Sequence, residues 1–60
     1  MTKQELDIEV DMLKGNINRM CTTDDFAELD NMAEHAIYRI KKIYQHNKDR
    51  IITNNEVTNE

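Results

Sequence analysis

Residues 26–43 read FAELDNMAEHAIYRIKKI, and their spacing decides the fold. Phe26, Leu29, Ala33, Ala36, Ile40 and Ile43 succeed one another at steps of three or four residues, which puts them on one stripe of an α-helix. Upstream, Leu6, Val10, Leu13, Ile17 and Met20 keep the same rhythm, and Cys21, Thr22 and Thr23 interrupt it. Two amphipathic helices joined by so short a polar link predict an all-α antiparallel two-helix hairpin. The first helix is expected over about 3–20 and the second over about 24–49, within one folded unit spanning 1–52. Residues 53–60 carry Asn54, Asn55 and Asn59 and no apolar period, and are expected to form a disordered tail.

Local signals support these boundaries. Thr2 followed three residues later by Glu5 is a capping box, and Glu5, Asp7 and Glu9 suit the positive end of a helix dipole. Either Thr22 or Thr23 is a candidate cap for the second helix, with Asp24 and Asp25 in its first turn. Gly15 falls inside the first helix, either as a tolerated glycine costing about 1 kcal/mol relative to Ala or as a point of close approach or bending.

Sixty residues lie near the lower limit for a chain that folds alone. Small domains compensate with disulfides, metals or oligomers. Cys21 is the single cysteine, which excludes an internal disulfide, and no Cys/His spacing suggests structural zinc. Self-association remains, and a homodimer of two hairpins forming a four-helix bundle is the expected assembly. With residue 20 opposite about 24 and residue 5 opposite about 39, the second helix overshoots the first by about two turns. Ile43 and Tyr44 then fall on the overhang, with Ile51 and Ile52 beyond them. Ile8 and Met12 lie off the seam of the first helix, so Ile8, Met12, Ile43 and Tyr44 are the candidate partner-binding residues.

The net charge of −4 is unevenly divided. Residues 1–34 hold nine acidic and three basic side chains, whereas 35–52 hold five basic side chains and Asp49. In an antiparallel hairpin these halves face each other, with Glu5, Asp7, Glu9 and Asp11 alongside Arg39, Lys41 and Lys42. The alternative use of the basic half is contact with nucleic acid through Arg39, Lys42 and His46. The overall acidity, the absence of a third helix and the facing acidic helix weigh against it.

No constellation for catalysis is present. His35 and His46 are three helical turns apart, and neither has a carboxylate three positions before it, as a di-metal bundle requires. Asp30 and Glu34 read as solvated carboxylates, and Cys21 has no base placed to activate it. No enzyme activity, cofactor or metal is expected. The polar start after Met1 lacks the run of a signal peptide, and no stretch approaches the ~18 apolar residues of a membrane span. A cytoplasmic protein is the expectation.

The opening Met1-Thr2-Lys3-Gln4-Glu5-Leu6 and the segment Tyr44-Gln45-His46-Asn47-Lys48 resemble small accessory proteins of Gram-positive, staphylococcal-type prophages. The resemblance lies in style and length across the chain, and it assigns no residue a role. It implies a small phage-encoded protein, either of uncharacterised role or acting by binding a host or phage protein. Taken together, the residues point to a non-enzymatic interaction module that works by docking a helix face.

Overall fold

In the computed structural model the backbone is described for residues 1–59 and the side chains for residues 1–54. Helix α1 spans Lys3–Thr22 and helix α2 spans Phe26–Asn59. They pack against each other as the antiparallel hairpin that the two apolar ladders predict. The molecule is a rod of 54 × 18 × 14 Å. Its length is that of α2 alone, since 34 residues at ~1.5 Å each give about 51 Å.

Thr2 caps α1 as expected. Its Oγ1 accepts from the Glu5 N–H at 3.1 Å, and the Glu5 carboxylate accepts from the Thr2 N–H at 3.3 Å. The helix runs straight through Gly15, and a Cβ built there meets nothing within 4 Å. Gly15 is therefore a tolerated glycine, with no neighbouring chain that needs its small size.

The link is Thr23–Asp25, two residues later than the sequence pattern suggests. Thr22 Oγ1 bonds back to the Asn18 carbonyl at 3.1 Å, and the Thr23 N–H donates to the Arg19 carbonyl, so α1 gains its last turn. Thr23 is extended at φ −77°, ψ 144°, and no residue needs a positive φ. Thr23 Oγ1 then accepts from the Asp25 N–H, and Asp25 Oδ1 accepts from the Ala27 N–H at 3.1 Å. The cap of α2 is thus Asp25, and neither threonine: Thr22 is spent on α1 and Thr23 on the turn.

At its far end α2 continues past residue 49 to Asn59. No glycine or proline follows Gly15, so nothing in 50–59 imposes a stop. Residues 53–59, read from composition as a tail, extend the helix, and Glu60 lies outside the described residues.

The later link moves the register by about one turn. Glu9 meets Arg39 and Lys42, and Arg19 meets Glu28. Ile43 consequently sits in the paired region, half-buried, and is not on the overhang. The projecting part of α2 begins after about residue 46, and Ile51 and Ile52 belong to it.

Candidate interaction surfaces

Packing two lone helices buries little. Ala36 is the one buried hydrophobic residue among the described side chains, at 6% exposure. A small residue at this point lets the helices approach, and the half-buried Leu6, Val10, Leu13, Met20, Leu29, Met32, Ala33 and Ile43 flank it.

The groove between the helices has two unlike edges. On one, Glu9 joins the chains: its carboxylate accepts from Arg39 Nη1 at 2.8 Å and from Lys42 Nζ at 2.9 Å. Asn16 Oδ1 accepts from Arg39 Nε at 3.0 Å, and its amide approaches Met32 Sδ at 3.5 Å. One turn nearer the link, Arg19 and Glu28 make a two-pronged pair. The Glu9 carboxyl is held below the ordinary value of 4.5, chiefly by the hydrogen bond from Lys42 and further by Arg39, against the opposing effect of burial. Lys42 is raised in turn, first by its bond to Glu9. Glu28 is lowered by Arg19 and then by Thr23.

Three rungs of the apolar ladders, Ile17, Phe26 and Ile40, stand outside the seam, while polar side chains take part of it. The stems of Arg39 and Lys42 cross the groove to reach Glu9 on the edge away from Ile40. The helices turn so that Arg39, Lys42, Glu9 and Asn16 are half-buried, while Ile17 and Ile40 stand 48% and 51% exposed. Phe26, first rung of the expected seam, is 76% exposed.

The opposite edge is apolar and open. At 100° per residue, Phe26, Ala33, Ile37, Ile40, Tyr44 and Ile51 form one stripe along α2, turned roughly a quarter-circle from the line through Ala36. Since the helices run antiparallel, Ile17 emerges from α1 on this same edge. Toward the overhang the stripe opens into a groove of about 310 Å³ lined by Tyr44, Asn47, Lys48, Ile51 and Ile52. Lys48 Nζ sits 5.8 Å from the centre of the Tyr44 ring, with its aliphatic stem along the groove.

The candidate residues from the sequence are thus distributed over three places. Tyr44 belongs to the apolar stripe, and Ile43 to the interior of the hairpin. Ile8 and Met12, half-exposed, lie on the outer face of α1 beyond the polar edge and do not join Tyr44. Arg39, Lys42 and His46 do share one side of α2, half-buried. There Arg39 and Lys42 both pair with the one carboxylate of Glu9, which offsets one of their two charges, and His46 faces a cleft shared with Met1, Asp49, Arg50 and Thr53. Lys42 also lies 5.3 Å from the Tyr38 ring centre. The sequence reading puts Phe26 and Ile40 in the seam and Ile51 on the overhang, and its ladder leaves out Ile37; it does not join the four in one stripe. Their signal is the second period running through Ile40 and Tyr44, offset from the first.

Among the described residues no three His, Cys, Asp or Glu side chains converge as a metal site would require, and no helix is long and apolar enough to cross a membrane. Cys21 is a free, exposed thiol. No family model matches the chain, and neither a curated protein nor a solved structure is similar to it.

Proposed function

We propose that this protein is a non-enzymatic interaction module that works by docking the apolar edge of its hairpin against another helical surface. The observation that carries the reading is the stripe from Phe26 to Ile51, apolar along one edge of a molecule whose own packing buries only Ala36 among the described side chains. Contiguous apolar surface of this kind marks association, whereas singly scattered apolar residues do not. The polar edge supplies what docking needs from the hairpin itself. It ties α1 to α2 through Glu9, Arg39 and Lys42, and so holds the stripe in place. Because those cations are already paired, the same geometry disfavours their use on phosphate. A small docking module suits the accessory role that the prophage resemblance implies, with a cytoplasmic setting.

The test is the double substitution Ile40→Gln, Tyr44→Gln, followed by sedimentation velocity over a range of concentrations and with any candidate partner added. Both side chains are exposed, so the hairpin contacts stay intact. Loss of association is the expected result, and association at wild-type strength would overturn the reading.

A further inference from the structure

The occupant of the apolar edge follows from the arrangement of the stripe itself. Its steps from Phe26 to Ile51 are seven, four, three, four and seven residues, the same read in either direction. We infer that the edge is covered by a second copy of this chain, through antiparallel pairing of α2 with α2 about a two-fold axis that passes between Tyr38 and Arg39. The inference rests on the docking reading above and gives it a partner and a geometry.

That axis sets Phe26 opposite Ile51 of the second copy, Ala33 opposite Tyr44, and Ile37 opposite Ile40. A two-fold interface must be self-complementary, each residue meeting its counterpart twice. Here the sizes match. The most exposed ring, Phe26, comes to the groove between Tyr44 and Ile51, and the small Ala33 leaves room for Tyr44. The overhang gains a role as well, because Ile51 projects past the end of α1 to where Phe26 of the second copy lies.

Charge complementarity selects the same arrangement. Asp30, Glu34, Lys41 and Lys48 run along the outer flank of the stripe, all exposed, acidic before the axis and basic after it. In antiparallel helices like flanks face each other. The axis then brings Asp30 to Lys48 of the second copy and Glu34 to Lys41. No ion pair within the hairpin uses any of these four among the described residues. The two hairpins together make four helices around the stripe, with Ile17 of each copy at its border.

The experiment measures the dimer dissociation constant by sedimentation equilibrium for wild type, Phe26→Asp, Glu34→Lys and the double variant Glu34→Lys, Lys41→Glu. Wild type should sediment at twice the 7.1 kDa chain mass. Phe26→Asp removes two buried rings per dimer and should weaken it by about a hundredfold or more. Glu34→Lys should weaken it by about two- to thirtyfold, and the double variant, which restores opposite charges across the axis, should recover most of that loss. A dimer indifferent to Phe26→Asp and not rescued by the charge exchange would overturn this pairing while leaving helix-face docking intact. A wild-type chain that is monomeric throughout would overturn self-association. Helix-face docking on a different protein is decided separately, by the Ile40→Gln, Tyr44→Gln comparison with a partner added.

Discussion

Single residues set the ends and the interior of α1, and their effects can be isolated. Thr2 and Glu5 satisfy each other's backbone N–H groups, so Thr2→Ala should cost about 1 kcal/mol of helix stability. Gly15 offers the opposite test. It lies in helical backbone with open space around it, so Gly15→Ala should stabilise the protein by up to about 1 kcal/mol. Thermal melts followed by circular dichroism check both, and destabilisation by Gly15→Ala would show that the glycine has a neighbour. The Thr2 cap was legible because it depends on two residues three apart. The Asp25 cap was not, because it depends on where the threonines before it spend their hydroxyls. Thr22 turns back onto α1 and Thr23 onto the turn, which leaves Asp25, immediately before Phe26, to accept from the Ala27 N–H.

Between the two helices, the contact with a readable charge dependence is the Glu9 carboxylate with Arg39 and Lys42. Glu9 is lowered when folded, first by its bond from Lys42, and Glu28 is lowered by Arg19. Their contribution is therefore present above the ordinary carboxylate value of 4.5 and lost as pH falls through the depressed values. Lys42 is raised, so its contribution is present below 10.5 and lost as pH rises through the raised value. Glu9→Gln should lower the melting temperature at neutral pH and flatten the decline on the acid side below pH 4.5. Parallel pH curves for wild type and variant would contradict the assigned role. The sequence foretold that acidic α1 would face the basic part of α2, and Glu9 between Arg39 and Lys42 bears that out. It misplaced the register, and with it Ile43, because a turn made by hydroxyl and carboxylate bonds has no glycine to mark it. The rotation of Ile17 and Ile40 out of the seam was illegible for a related reason. Periodicity ranks apolar positions without knowing that two arginine and lysine stems will cross the groove to reach one carboxylate.

The hairpin taken entire is a long helix with a shorter one laid along it, and under the proposed pairing its stability comes largely from the second copy that covers the stripe. With Ala36 alone buried among the described side chains, an isolated copy has little apolar burial to oppose the entropy of ordering two helices. Folding and association should then be coupled: two ladders made the hairpin legible, and the proposed pairing adds the second period through Phe26, Ile37, Ile40, Tyr44 and Ile51. That coupling is tested by one dilution series, with mass from light scattering and helicity from circular dichroism read on the same samples. Mass and helicity should fall together as the protein is diluted, from a helical species at twice the chain mass to a poorly helical monomer. A monomer that keeps its full helicity at every concentration would contradict it.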